Sequence, residues 1–250
     1  MKIAGNTILI TGGATGIGFA LAEVFVRSGN TVIICGRRKN RLDEAAQKIP
    51  GLITRQCDVT KKTGREDLFK WIKATCPGLN ILINNAGIQK NIDFANGAGA
   101  LTKNGDEVQT NLVAPIALSA LFTPFLMKKE SAAIFNVSSG LGFVPLAFMP
   151  VYCATKSALH SFTVSLRHQL HETSVKVFEI IPPAVETELG KNPDGAEENS
   201  YHGIKPEVVA AAVLQALEKD EYEIAVGEAR GLVEGSRRNF TETFKRLNSW

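Results

Sequence analysis

Tyr152 and Lys156 stand four residues apart in VYCATKSAL, a stretch otherwise made of small and apolar side chains. On a helix that spacing puts both on one face, where an ammonium favours the phenolate and can lower a tyrosine pKa from its usual value of about 10. A tyrosine so placed can give and take a proton. The pair by itself does not separate an acid and its electrostatic partner from two polar residues on the same side of an ordinary helix.

A second group suits phosphate rather than protons. In TGGATGIG, residues 11–18, Gly12, Thr15, Gly16, Ile17 and Gly18 lie at the turn from an apolar run into a segment of helical period. Glycines there let the backbone approach a pyrophosphate, and free N–H groups at the positive end of a helix favour its charge. The spacing is G-x-x-x-G-x-G, because Leu21 stands where the third glycine of G-x-G-x-x-G belongs. After the next apolar run comes Cys35-Gly36-Arg37-Arg38. A dinucleotide with a free ribose 2′-hydroxyl normally meets an acid at that place, whereas Gly36 with two arginines suits a 2′-phosphate. NADP(H) is therefore expected in preference to NAD(H), which stays possible; the competing reading is that Arg37 and Arg38 only decorate a helix start.

The elements that must carry these groups are legible as short β-branched runs alternating with segments of helical period. Strands are expected at 7–11, 31–35, 52–56, 80–84, 132–138, 175–181 and 222–226, and helices at 16–28, 38–48, 61–75, 104–129, 151–172, 206–219 and 229–247. The alternation predicts an α/β fold: a Rossmann-type doubly wound parallel sheet of about seven strands with helices on both faces, one domain over 1–250. Residues 183–205, polar and rich in Gly and Pro, read as a loop long enough to cover a substrate.

Composition narrows the function. Against 28 basic residues stand 25 acidic ones, scattered, so no basic stripe points to nucleic acid. Gly5, Asn6 and Thr7 interrupt the N-terminus before a signal-peptide core can form. The longest apolar run, 112–127, holds two prolines and falls short of the roughly 20 residues of a membrane span. Four cysteines without CxxC spacing suit a reduced, cytoplasmic protein, and His168 and His171 lack the further ligands of a metal site.

The ordered set T11-G12-x-x-x-G16-x-G18, C57-D58-V59, N84-N85-A86-G87, N111, N136-V137-S138-S139 and Y152-x-x-x-K156 resembles the short-chain dehydrogenase/reductase family in its single-domain branch, over nearly the whole chain. The resemblance implies that Tyr152 is the general acid/base, Lys156 its partner and a ligand of the nicotinamide ribose, and Ser139 the donor to the substrate oxygen. It makes Asn111 the residue that holds a water joining Lys156 to solvent. It also implies that Asp58, with Val59 beside it, meets the adenine, and that Asn84, Ala86 and Gly87 line the adenosine side while stabilising the central strand. Pro182, Val185 and Thr187 fall at the nicotinamide end. Pro183 replaces the family's glycine, and Pro fixes φ and removes an N–H. This P-P-x-V-x-T variant is similar to the bacterial DltE-type branch.

The reaction implied is hydride transfer between nicotinamide and a small-molecule carbonyl or secondary alcohol. The rival readings are a catalytically silent cofactor-binding regulator, an NAD(H)-preferring dehydrogenase, and a sugar-nucleotide epimerase, for whose larger substrate domain the chain lacks room. A homodimer or homotetramer is implied by the resemblance alone. Between Ser139 and Tyr152, the apolar Leu141, Phe143, Val144, Leu146, Phe148 and Met149 are expected either to wall a substrate pocket or to be buried by the 183–205 loop or a partner subunit.

Overall fold

A computed structural model describes residues 1–102, 107–189 and 203–249. Seven strands, β1 (Thr7–Thr11), β2 (Thr31–Gly36), β3 (Ile53–Gln56), β4 (Ile81–Asn84), β5 (Ala132–Val137), β6 (Val175–Ile181) and β7 (Glu223–Ala225), form one parallel sheet in the order β3-β2-β1-β4-β5-β6-β7. The order reverses between β1 and β4. A crevice opens at the carboxyl ends of strands where such a reversal occurs, and ligands bind there.

The period of two in each strand divides the core into two layers. Ile8, Ile10, Ile81 and Ile83 face α1 (Gly16–Arg27) and α7 (Pro206–Lys219), packing on Phe25, Val213 and Leu217. Leu9, Leu82 and Ile134 face the other way, onto Leu68 and Ile72 of α3 (Lys62–Thr75), Phe122 of α5 (Ala114–Leu126) and Leu166 of α6 (Pro150–Gln169). With both faces covered, β5 is buried along its whole length, which is why it reads as a continuous run. The short α2 (Lys39–Lys48) and α4 (Gly99–Thr102) complete the order up to α6.

Two expected helices differ in shape. The segment 104–129 enters α5 through a π turn, Gln109–Val113; its residues 104–106 lie outside the described ones. Together Gln109–Leu126 is long and apolar enough to cross a membrane by length and composition, longer than the run read from the sequence, but it serves as a core helix against α3, β4 and β5. The segment 229–247 is two helices, α8 (Ala229–Arg238) and α9 (Phe240–Leu247). Asn239 breaks it: its Oδ1 accepts from the Glu242 N–H at 3.2 Å while its Nδ2 donates to Glu242 Oε2 at 3.0 Å, capping a new helix.

Candidate active site

Pro150 opens α6 at a position where its missing N–H costs nothing, and the next turns carry Tyr152 and Lys156 on one buried face, 5% and 4% exposed. The Lys156 ammonium donates to the Val137 carbonyl at the end of β5, 2.7 Å away, and lies 5.6 Å from the Tyr152 ring centre. Ser139 lies two residues past the end of β5; its Oγ accepts from the Leu141 N–H at 3.1 Å and caps the turn Gly140–Gly142. A β-carbon at Gly142 would stand 2.9 Å from the Lys156 backbone, so only glycine lets this turn lie against the catalytic helix.

Burial pushes the Tyr152 hydroxyl well above its ordinary pKa, with Ser139 pulling the other way and Cys153 and Glu107 adding to the rise. Burial likewise lowers Lys156 to about 8, opposed by Glu179. Burial thus outweighs the lowering expected from Lys156, a cation that is bonded to a carbonyl, and Tyr152 is held as a phenol.

Asn111 sits in the π turn, a helix distortion common at functional sites. Its Oδ1 accepts from the Ile88 N–H at 2.9 Å, and its Nδ2 donates to the Ile88 carbonyl at 2.8 Å and to Thr155 Oγ1 at 3.1 Å. The amide thus clamps the chain after β4 to α6. Gly87 lies between them: a β-carbon there would be 3.5 Å from Asn111 Oδ1 and 3.8 Å from Lys156 Nζ.

At the other end of the crevice, Gly12 and Gly16 take left-handed φ of 64° and 55°. Thr15, the N-cap of α1, makes no side-chain cap, so among the described residues no side chain is bonded to the first-turn N–H groups from Ile17 onward. The loop is locked from behind by Asn85, whose Nδ2 donates to the carbonyls of Thr11 (2.9 Å) and Gly12 (3.1 Å), and by Thr11 Oγ1, which accepts from Asn85 and Ala86 N–H at 3.0 Å each. Asn84, one residue earlier, points to the opposite face. Its Nδ2 donates to Asn136 Oδ1 on β5 at 2.9 Å and to Ser119 on α5 at 3.2 Å, which braces the sheet. The side chain that serves the glycine loop is thus Asn85, which the sequence reading passed over.

Arg37 opens onto a cavity of about 480 Å³ lined also by Arg55, Cys57 and Asp58. Asp58 Oδ1 accepts from the Thr60 N–H (3.0 Å) and hydroxyl (2.7 Å). Slight burial raises its pKa, but these bonds, Arg37 and Lys61 together hold it below the usual carboxylate value. Val59 is buried, and its carbonyl accepts from Arg65 at 2.6 Å. Arg38 and Arg41 converge on one carboxylate, Glu188, at 3.0 and 2.7 Å. Arg41 and Glu188 were not anticipated; Arg41 lies one turn beyond Arg38, but Glu188 is far along the chain.

The strand-end segment after β6 crosses the same loop. A β-carbon at Gly16 would meet the Thr187 methyl at 2.8 Å, and Val185 bridges to Ile204. The Pro182 carbonyl accepts from the Gly140 N–H at 3.1 Å, and the Pro183 ring sits near Gly227, whose left-handed backbone has φ 53°. Residues 190–202 of the expected covering loop lie outside the described ones. The C-terminal helices also pack on the apolar stretch before Tyr152. Leu247 packs on Leu146, Met149, Tyr152 and Cys153, and Asn248 holds the Ala147 N–H at 2.7 Å and the Pro145 carbonyl at 3.0 Å. Phe143 packs on Ile181, Ala229 and Val233. α8 and α9 thus cover part of the stretch.

This geometry has counterparts. The family model described as short chain dehydrogenase matches residues 6–198. The chain belongs to the short-chain dehydrogenase/reductase family. Among members of that family, the uncharacterized oxidoreductase DltE of Bacillus subtilis (strain 168) is 48% identical over 249 residues, 100% of this chain and 99% of that one. The NADP-dependent 3-hydroxy acid dehydrogenase YdfG of Escherichia coli (strain K12) is 31% identical over 215 residues, 82% of this chain and 86% of its own. A short chain dehydrogenase from Burkholderia cenocepacia J2315 in complex with NADP superposes with a TM-score of 0.81 over 99% of both chains at 25% identity. The protein is an oxidoreductase of the short-chain dehydrogenase/reductase family.

The residues present fit the dinucleotide that this family uses. The glycine loop folds too tightly on itself to hold side chains, a β-carbon at Gly18 standing 2.5 Å from the Gly12 carbonyl and one at Gly13 2.4 Å from Ile34, and it leads into the N-terminus of α1, where Thr15 makes no side-chain cap and an anion is favoured.

Proposed function

We propose that this short-chain dehydrogenase/reductase is an NADP(H)-dependent oxidoreductase that interconverts a carbonyl and a secondary alcohol on a small, largely apolar substrate. The observation that carries the reading is the pairing of Tyr152 and Lys156 on one buried face of α6, beneath Ser139 and across the crevice from a bare glycine loop. NADP(H), when bound, supplies the hydride. Tyr152 donates its phenolic proton to the substrate oxygen as negative charge grows there, and takes it back in oxidation. Ser139 donates a hydrogen bond to the same oxygen. Lys156 holds the nicotinamide ribose and stabilises the phenolate left on Tyr152. Asn111 fixes α6 against the chain after β4 and so keeps Lys156 in place. The test is steady-state turnover of a panel of ketones and alcohols with NADPH and with NADH. Reduction of apolar ketones is expected, and cofactor binding without any turnover would favour the silent-regulator reading.

The preference for NADP(H) rests on Gly36, where an acid would repel a 2′-phosphate, and on the arginines that follow. Arg37→Asp is expected to lower the NADPH:NADH ratio of kcat/KM by about 10–100-fold, the scale of one charged hydrogen bond. An unchanged ratio removes Arg37 as the determinant. Glu188 occupies Arg38 and Arg41, so its carboxylate competes with a phosphate for them. Each such pair is partly exposed and screened by solvent, hence weak. Glu188→Gln should therefore tighten NADPH a few-fold in a binding titration and leave NADH unchanged, whereas equal effects on both would separate Glu188 from the phosphate.

The pH dependence follows from Lys156. Its ammonium is present below about 8 and lost as pH rises through that value, while Tyr152 stays protonated. In the reductive direction kcat/KM should be level at neutral pH and fall above about 8, since this parameter reports the free enzyme. Lys156→Arg keeps its charge throughout and should lose that limb; a limb that persists belongs to another group. The same reading includes a cytoplasmic homo-oligomer, the adenine beside Asp58 and Val59, the adenosine along Ala86 and Gly87, the nicotinamide near Pro182, Val185 and Thr187, and residues 183–205 as the substrate cover.

A further inference from the structure

Glu179 is a carboxylate with no exposed surface, in a strand whose neighbouring side chains are apolar. A buried charge is tolerated only when it is paired and its oxygens are bonded. Both oxygens are: Oε1 accepts from the Ser138 hydroxyl at 2.5 Å, and Oε2 lies 2.8 Å from His160 Nδ1. Ser138 immediately precedes Ser139. His160 stands one turn beyond Lys156, so Tyr152, Lys156 and His160 share a helix face at successive spacings of four. The His160 ring also packs on Phe143, 4.3 Å between centres, in the loop that follows Ser139. From the other side Lys156 bonds the carbonyl of Val137, the residue before Ser138.

We propose that Glu179 is a positioning residue for the reaction centre: it anchors the Ser138–Ser139 strand end and supplies the counter-charge that lets buried Lys156 remain an ammonium, with His160 orienting it. The inference rests on the catalytic reading above for its purpose, but not for its test. His160 is raised by its bond to Glu179, against burial, with Glu223 adding and Arg237 opposing. Glu223 on β7 is Glu179's neighbour in the sheet and is itself paired with Arg237 of α8 at 2.8 Å. Lys156 has Glu179 as the charge that opposes its burial, and Tyr152 is faced by Glu107 and Cys153.

The experiment follows the Lys156 side-chain nitrogen by NMR in cofactor-free protein, with the signal assigned through Lys156→Arg. In Glu179→Gln, which can keep the bonds to Ser138 and His160 but not the charge, the proton affinity of Lys156 is expected to fall about tenfold, one pKa unit. Glu179→Asp should restore part of the loss. An unchanged Lys156 titration in a Gln variant that melts like the parent overturns the proposal. If the Gln variant does not fold, carboxyl NMR of the parent decides: Glu179 must be ionised throughout the range in which Lys156 titrates, and a neutral Glu179 there overturns the proposal. Where turnover is measurable, the alkaline limb of kcat/KM in Glu179→Gln should move down by the same unit, and a lower rate with an unmoved limb contradicts the counter-charge role. If no substrate turns over, the functional reading fails and the Lys156 titration still decides Glu179.

Discussion

Tyr152→Phe is expected to lower turnover by about 10²–10⁴-fold, the contribution of a positioned general acid. The ring is buried among Leu146, Met149 and Cys153, and Phe fills that space, so the melting temperature should change little. Lys156 is bonded to Val137 rather than to the tyrosine, so its position does not depend on the hydroxyl. NADPH affinity should hold within about twofold, because the change removes a proton donor and leaves the charge that holds the ribose. Turnover at more than a tenth of the parent rate would remove Tyr152 as the acid. A loss of cofactor binding would instead make it a structural residue.

Gly18→Ala is expected to act at the other end of the crevice and through the backbone. Its β-carbon would stand 2.5 Å from the Gly12 carbonyl, 2.5 Å from Asn85 Nδ2 and 2.9 Å from the Gly13 α-carbon. Two of those neighbours are backbone of the loop itself and cannot rotate away. Overpacking of this kind costs about 1–3 kcal/mol, so cofactor affinity should fall by about 10–100-fold and the melting temperature with it. Gly231→Ala is the control: within α8 a β-carbon there meets nothing within 4 Å, and the change should stabilise slightly. Equal behaviour of the two variants would show that the loop is not sterically closed.

Local chemistry explains what could be read in advance. The strand TILIT and the strand VKVFEII fall where their β-branched runs place them, because each is buried by neighbours whatever their identity. Asn239-x-x-Glu242 carried a capping signal inside a helical pattern, and the period hid it. Asn84 and Asn85 were read together as NNAG, but adjacent strand residues face opposite sides, so one braces β5 and the other the glycine loop. The pairing of Glu188 with Arg38 and Arg41 spans nearly 150 residues of chain, and nothing local to either end announces it. The same holds for the cover over Phe143 and Leu146, which comes from the last helices. Glu179 stands in plain view: an acid between Phe178 and Ile180 in a buried strand.

The most direct measurement of the central claim is isotope transfer. Protein, a panel of apolar ketones and NADPH deuterated at the transferable position of the nicotinamide are incubated together, and the alcohols formed are analysed for deuterium at the carbinol carbon. The account predicts deuterium at that carbon with the parent protein and near-complete loss of labelled product with Tyr152→Phe. NADPH that binds yet passes no label to any carbonyl, or label that passes equally well without the Tyr152 hydroxyl, would contradict it.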